Sequence, residues 1–146
     1  MPLIISKENL TIIKKHVAEI FPYEACGAML GIFDGDNKKI TKIFPAQNKY
    51  RKIAWDAFEI EPKDMLEIDK LSRKENIEVI GFYHSHPNHP AVPSNTDIGA
   101  SWPYYSYTIV SIKGSRLEDV ADIKNYLMPD KINKPIIEEI IITEQT

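Results

Sequence analysis

The sequence predicts an α/β fold of the α+β kind, in which a mixed β-sheet is flanked by helices. Two segments, 7–20 and 62–75, carry apolar side chains at helical spacing. Short apolar runs bounded by Gly, Pro, Asp and Asn lie between and after them, as is typical of strands. Because some runs are joined by a turn and others by a helix, we expect both antiparallel and parallel strand pairs.

The bulk composition predicts one globular domain spanning residues 1–146. Hydrophobic residues make up 43%, charged residues 27%, and the net charge is −3, so no nucleic-acid or membrane partner is expected. The start of the chain does not resemble a signal peptide, and no apolar run approaches the ~20 residues that span a bilayer. Since Cys26 is the single cysteine, no internal disulfide can form, and we expect a cytoplasmic protein.

The N-terminal half predicts a helix followed by a hairpin. Ser6 is placed to cap the helix over 7–20, which the sequence Phe-Pro-Tyr ends. An apolar run at 25–33 predicts a buried strand, and an Asp-Gly-Asp-Asn turn returns the chain as a strand at 39–44. The polar segment 45–53 is a candidate exposed loop that faces a substrate.

The C-terminal half predicts a helix, a central strand and further strands. Pro62 suits the first position of the second helix. An apolar run from Ile77 predicts a buried strand that ends at His84, and a proline-rich loop then leads into a short helix that starts near Ser94. Segment 117–128 fits a strand or a helix, although the turn before it favours a strand. Other strands are predicted at 106–112 and 136–142.

A candidate metal site lies between the end of the central strand and the start of the short helix. His84 and His86 are two residues apart, so on a strand both imidazoles point to the same side. Ser94 and Asp97 are three apart, so at a helix start they share a face. Two histidines and one carboxylate form a common catalytic zinc set, with water in the fourth position. Ser94 is placed to donate a hydrogen bond to an oxygen that gains charge.

Each half of this pattern also has a purely structural explanation. Many strands end in histidine, and the spacing of Ser94 and Asp97 resembles an ordinary helix N-cap. The two halves occur together in one window, joined by a loop with three prolines, and this combination favours a site. His89 lies in that loop, and we expect it to be exposed.

A water activated at such a site needs a general base, and several carboxylates are available. Glu78 precedes His84 by six residues on the same strand face, about 20 Å away, which is too far. Glu67 and Glu75 fit the solvated face of a helix. Glu24 stands at the edge of a buried strand, where a carboxylate has no packing purpose, and is the better candidate. The residues alone leave this choice open.

In these positions the chain resembles the JAMM (MPN+) metalloproteases. That family is marked by a glutamate near the first strand, then His-x-His, seven residues and Ser-x-x-Asp. This sequence has Glu24, then His84-Ser85-His86, seven residues, and Ser94-Asn95-Thr96-Asp97. The flanking stretches 22–27 and 102–107 are similar to the short, single-domain prokaryotic branch, and the resemblance covers most of the chain.

The resemblance implies a deaminase-like three-layer fold and a zinc-dependent hydrolase. One zinc ion would be held by His84, His86 and Asp97. Glu24 would carry a proton from water to the leaving amine, and Ser94 would stabilise the tetrahedral oxyanion. The bond cleaved would be a peptide or isopeptide bond after the C-terminal glycines of a ubiquitin-like or sulfur-carrier protein.

Other classes of protein fit the sequence less well. A non-catalytic MPN-type scaffold is the main alternative, but such domains typically lack one or more motif residues, and all five are present here. A zinc nucleobase deaminase needs His-x-Glu and Pro-Cys-x-x-Cys, which one cysteine cannot supply. A (β/α)₈ barrel would need ~250 residues. Because Cys26 lies in an apolar run, we expect a buried structural thiol rather than a nucleophile.

Overall fold

The computed structural model describes residues 1–50, 58–130 and 132–144. Within these ranges the helices are α1 (Lys7–Ile20), α2 (Pro62–Glu75) and α3 (Asn95–Gly99), with a 3₁₀ turn at Leu117–Asp119. The strands are β1 (Leu3–Ser6), β2 (Cys26–Asp34), β3 (Asn37–Ala46), β4 (Glu78–Pro87), β5 (Ser106–Ile112), β6 (Val120–Leu127), β7 (Ile136–Glu138) and β8 (Ile140–Thr143).

All eight strands belong to one mixed sheet, in the order β7-β6-β5-β4-β2-β3-β1-β8. The pair β2–β3 is an antiparallel hairpin, and β4 and β5 run parallel, with α3 in the connection between them. Strands β7 and β8 lie at opposite edges of the sheet, yet only Glu139 separates them along the chain. The two edges must therefore meet, and the sheet curls round on itself.

The two long helices begin and end where local chemistry predicts. The Ser6 hydroxyl caps α1 by accepting the backbone N–H of Asn9 at 3.0 Å. Pro62 occupies the first turn of α2, where its missing N–H has no cost. Asn76 ends α2 in the left-handed conformation, with φ of 53°.

The helices cover opposite faces of the sheet, which gives three layers. Successive residues of β2 point to opposite sides. Met29 belongs to the core formed with α1, whereas Ala28 and Leu30 pack with Ile68 of α2. This arrangement confirms the predicted mixed sheet flanked by helices. In the described part of the chain, no helix has both the length and the apolar character needed to cross a membrane.

Two predictions of strand extent were wrong. Strand β4 does not end at His84 but continues to Pro87, because its parallel pairing with β5 runs on to Ile112. The predicted last strand at 136–142 is two short strands, since the chain changes partner from β6 to β1 at Glu139.

The segments left uncertain by the sequence also become defined. Segment 117–128 is a 3₁₀ turn followed by strand β6, as the preceding turn favoured. In the predicted loop 45–53, Pro45 and Ala46 belong to β3, and residues 51–53 lie outside the described ranges. Beyond those residues, Ile60 forms a single bridge with Asn48.

Candidate metal and catalytic site

Three ligand atoms converge beside the C-terminal end of β4. Strand alternation places His84 and His86 on one side, and their Nε2 atoms lie 3.1 Å apart. The Oδ2 atom of Asp97, from α3, lies 3.2 Å from Nε2 of His84 and 3.0 Å from Nε2 of His86. The structure thus brings together the three residues that the sequence singled out as metal ligands.

The start of α3 holds the carboxylate in place. The Ser94 hydroxyl accepts the N–H of Asp97 at 3.0 Å, and Asp97 Oδ2 accepts the N–H of Ser94 at 2.9 Å, which is a complete capping box. The structural explanation of this spacing is therefore correct, and it coexists with the ligand geometry. The same cap that starts the helix directs Oδ2 at the two histidines.

A hydrogen bond from the main chain sets which nitrogen of His86 can bind a cation. Nδ1 of His86 lies 2.8 Å from the carbonyl oxygen of Pro90. A carbonyl only accepts, so Nδ1 carries the proton and Nε2 of the neutral ring presents its lone pair. In that neutral form the lone pair faces Nε2 of His84 and the Asp97 oxygen, and a metal ion would take the place of the proton that links these atoms when His86 is protonated.

The spacing of these atoms fits a tetrahedral metal ion. For zinc bonds of about 2.0–2.1 Å, neighbouring ligand atoms of a tetrahedron lie about 3.3 Å apart. The three separations in the structure, 3.0, 3.1 and 3.2 Å, are close to that value. Two imidazoles with one carboxylate also match the donor preference of zinc over calcium or magnesium.

The electrostatics of the three groups follow from their burial and mutual hydrogen bonds. Burial lowers the pKa of His84, and the hydrogen bond with Asp97 only partly opposes this, so the ring favours its neutral, metal-binding form. Burial also acts to lower the pKa of His86, but the contacts with Asp97 and Pro90 outweigh it and raise the pKa. Burial acts to raise the pKa of Asp97, yet hydrogen bonds with both histidines hold it well below its usual range.

Glu24 approaches the two histidines from the segment between α1 and β2. Its side chain is only 6% exposed. A carboxylate oxygen of Glu24 and one ring nitrogen each of His84 and His86 all lie within 4.8 Å of one another. The residue lies just before β2, whose first residue, Cys26, pairs with His84. The pairing of β2 with β4 therefore brings Glu24 to the histidines across sixty residues of sequence.

A cleft of about 570 Å³ opens onto this cluster. Its lining combines chemically active groups with an apolar wall: Pro22, Glu24, His86, Pro87, Asn88, His89, Pro90, Val92, Ser94 and Thr96. Ser94 is exposed, and while its oxygen accepts from Asp97, its own O–H can be donated to a bound molecule. His89 is exposed as expected, at the edge of this cleft.

Of the other titratable residues, Glu78 and His16 contact tyrosine hydroxyls, and Cys26 pairs with His84 on the neighbouring strand. Glu78 is at the opposite end of β4, where it accepts a hydrogen bond from the Tyr104 hydroxyl at 3.2 Å. Nδ1 of His16, on α1, lies 2.7 Å from the hydroxyl of Tyr83. Cys26 is fully buried, and burial, followed by the charges of Asp64 and Glu24, raises the pKa of its thiol to about 12.

Sequence reasoning missed three side chains that contact the site. Ser85, between the two histidines, accepts the N–H of Ala25 at 2.8 Å and ties β4 to the chain after Glu24. The ring of Phe58 stacks on His84, with centroids 4.4 Å apart. Asn48 donates to the Glu24 carbonyl. Strand alternation could have pointed to Ser85, whereas nothing local marked Phe58 or Asn48.

The curled mixed sheet and the residues gathered at the end of β4 have their counterpart in a known family of domains, the JAB-type domains. Residues 6–124 match the family model of prokaryotic homologs of the JAB domain. The chain belongs to this family.

Three relatives share substantial sequence with the chain. A desampylase of Haloferax volcanii is 37% identical over 94 residues, which is 64% of this chain and 66% of the relative, just under two thirds of its length. A desampylase of Pyrococcus furiosus is 30% identical over 132 residues, 89% of each chain. A probable TtuB-protein conjugate cleaving protease of Thermus thermophilus is 26% identical over 103 residues, 70% of this chain and 66% of that one.

Solved structures share the architecture. A Desulfitobacterium hafniense protein solved in solution is 30% identical, with a TM-score of 0.84, covering 98% of this chain and 94% of that one. A JAB1/MPN domain protein of Archaeoglobus fulgidus is 16% identical, with a TM-score of 0.53, covering 97% and 99% of the two chains. The latter likeness concerns the fold alone.

Proposed function

We propose that this protein is a zinc-dependent hydrolase that cleaves peptide or isopeptide bonds after the C-terminal glycines of ubiquitin-like or sulfur-carrier proteins. The observation that carries the proposal is the convergence of His84, His86 and Asp97 on one point, with the Glu24 carboxylate beside them. Relatives named desampylase and conjugate cleaving protease support the substrate class.

Nε2 of both histidines and Oδ2 of Asp97 would hold one zinc ion. When bound, zinc supplies a Lewis acid that lowers the pKa of a coordinated water to about 7 and polarises a carbonyl. The contact of His86 Nδ1 with the Pro90 carbonyl keeps that ring oriented, and the capping box keeps Asp97 oriented. These contacts pre-form the ligand set, so binding the ion needs little rearrangement.

Glu24 acts as the general base and then as the general acid. Its carboxylate takes a proton from the attacking water and delivers it to the nitrogen of the leaving amine as the C–N bond breaks. Its place in the cleft lining and its proximity to both imidazoles support this role. The leaving group is therefore a neutral amine, either a lysine side chain or a chain N-terminus.

Ser94 stabilises the oxygen that gains charge. Its hydroxyl lines the cleft and, since its oxygen already accepts from the Asp97 N–H, its own proton is directed away from that bond. A donor aimed at the tetrahedral oxyanion typically contributes a factor of 10²–10³, to order of magnitude. Pro22, Pro87 and Pro90 line the same cleft and would pack against an extended glycine tail.

The direct test is to incubate the purified protein with ubiquitin-like proteins joined through their C-terminal glycines to a second protein. One set carries the junction as a linear fusion and the other as a lysine isopeptide, so that the two sets distinguish the bond type. We expect cleavage after the last glycine, loss of cleavage with a chelator, and recovery on adding zinc. No chelator-sensitive cleavage of any substrate would instead favour the non-catalytic scaffold.

A further inference from the structure

The position of Glu24 has to be imposed by tertiary contacts. The residue lies between the end of α1 and the start of β2, where neither a helix nor a strand ladder holds its main chain. Even so, its side chain is 6% exposed and its carboxylate lies close to two imidazoles. The side chains of Ser85 and Asn48, which bind the main chain at Ala25 and Glu24, therefore help to position this carboxylate.

Asn48 is the side chain that binds the main chain of Glu24 itself. Its Nδ2 donates a hydrogen bond of 2.9 Å to the Glu24 carbonyl oxygen. Its Oδ1 accepts two others, from the N–H of Tyr50 at 3.0 Å and of Glu59 at 3.1 Å. Because two donors face one end of the amide and an acceptor faces the other, the orientation of the amide is fixed. Asn48 is 6% exposed, so these bonds are little weakened by water.

The same amide also fixes the segment that carries Phe58 onto the site. Glu59, which donates to Asn48, directly follows Phe58, and Ile60 bridges to Asn48. The Phe58 ring is stacked on His84, inclined by 22° at 4.4 Å between centroids. The Asn48 side chain thus binds the main chain of Glu24, the proposed general base. It also binds the segment whose Phe58 ring is stacked on His84.

We propose that Asn48 is a positioning residue, whose Nδ2 bond to the Glu24 carbonyl aligns the Glu24 carboxylate for proton transfer. The kinetic part of its test rests on the hydrolase function proposed above. A misplacement of about 1 Å at a reacting group can cost about 100-fold in rate. Loss of this bond is therefore expected to act on kcat, while zinc binding by His84, His86 and Asp97 persists.

The test uses Asn48→Asp, which keeps an oxygen for the two N–H donors but places a second oxygen against the Glu24 carbonyl. The substrate is a ubiquitin-like protein whose terminal Gly-Gly is joined to the lysine side chain of a fluorescent peptide. We expect kcat to fall about 100-fold, KM to change less than about twofold, and bound zinc to stay unchanged.

A control separates positioning from general destabilisation. Asn125 is a buried amide on β6, two strands from His84, and it donates to Glu138. Asn125→Ala should lower the melting temperature yet leave kcat of the folded protein unchanged. Should Asn48→Asp fail to fold, Asn48→Ala, which adds no charge, is measured in the same way.

Two results would overturn the inference. The first is an unchanged kcat; the second is a fall in kcat accompanied by an equal loss of zinc or a matching rise in KM. If the wild-type protein cleaves no substrate, the proposed function fails, and the inference is judged by backbone amide resonances instead. Asn48→Asp should then shift those of Glu24 and Ala25, whereas Asn125→Ala should not; unshifted resonances would contradict the positioning role.

Discussion

At the residue scale, Glu24 is an acid that packing alone gives no reason to bury. Glutamate is almost never fully buried unless it is paired, and here it lies among imidazoles with only 6% exposure. Ionisable groups in such buried surroundings cluster at functional sites, where their chemical task requires the altered environment. The sequence pointed to Glu24 by the same reasoning, and the pairing of β2 with β4 supplies the contact that the sequence could not show.

Glu24→Gln should keep the fold and the bound zinc but lose hydrolysis. An amide is similar in shape but cannot take up a proton from water, so we expect kcat to fall by about 10²–10⁴-fold. Zinc content and circular dichroism should match those of the wild type. The control is Glu78→Gln, at the exposed far end of β4, which should cleave normally. Full activity of the Glu24 variant would remove this residue from the proposed role.

Cys26 should be unreactive in the folded protein. Burial, and then the charges of Asp64 and Glu24, raise the pKa of the thiol to about 12, against about 8.5 for a free cysteine. The raised pKa favours the neutral thiol in the folded state. Its contribution to stability is complete below pH about 8.5 and is lost as the pH rises towards 12.

Iodoacetamide labelling followed by mass spectrometry measures this directly. At pH 8 the native protein should remain unmodified at Cys26 for hours, whereas the protein in urea should be labelled at the ordinary rate of an exposed thiol. Equal rates in the two states would show that the thiol is accessible, and would reopen a chemical role for this residue.

At the element scale, Asp97 of α3 is both part of the helix cap and a proposed metal ligand. Asp97 Oδ2 accepts the Ser94 N–H and also faces two histidines, so the helix start and the proposed metal geometry depend on the same atom. Five residues make a helix too short to be stable alone. The cap, the packing of Ile98 against the core, and a bound ion would together stabilise it.

Asp97→Asn should separate these two tasks. An asparagine oxygen can still accept the Ser94 N–H, but a neutral amide is a poor zinc ligand, so we expect a folded protein that purifies with little zinc. Asp97→Ala should also lose the half of the capping box in which Asp97 accepts the Ser94 N–H, which costs up to about a further 1 kcal/mol of unfolding free energy. Zinc analysis and urea unfolding at pH 8, without metal, give the two quantities. Stoichiometric zinc in Asp97→Asn would contradict the ligand assignment.

At the scale of the whole molecule, the sheet closes around a buried ion pair. Lys38 Nζ on β3 lies 2.9 Å from Glu138 Oε2 on β7, and both side chains are at most 6% exposed. Ser106 and Asn125 donate to the other oxygen of Glu138. Strands that are far apart in the order of the sheet are thereby joined across its interior.

This closure explains which parts of the fold could be predicted from the sequence and which could not. Periodicity and caps such as Ser6 depend on near neighbours, and for that reason α1, α2 and the capping box at Ser94 were predictable. The motif residues also carried enough information to place the candidate site. The division of the last strand at Glu139 depends on which distant strand each half meets, and no local pattern encodes this. The same holds for the contact of Phe58 with His84, which only the folded chain creates.

Breaking the buried pair should cost far more than breaking a surface pair. Glu138→Gln leaves the Lys38 ammonium buried without a counter-charge, so we expect a loss of about 3–5 kcal/mol in unfolding free energy. Adding Lys38→Met to that variant removes the stranded charge and should recover most of the loss, while the Gln oxygen still accepts from Ser106 or Asn125. Urea unfolding of the single and double variants measures both values.

The surface pair Lys7–Glu144 provides the matched comparison. Its Nζ–Oε1 distance is also 2.9 Å, but the side chains are 65% and 80% exposed. Lys7→Gln should therefore cost less than about 1 kcal/mol. The two pairs differ in burial rather than in distance, so a similar cost for both would mean that water reaches Glu138. Burial inside the closed sheet would then not increase the contribution of the Lys38–Glu138 pair to the unfolding free energy. The curl of the sheet would have to be stabilised by its β1–β8 and β6–β7 ladders alone.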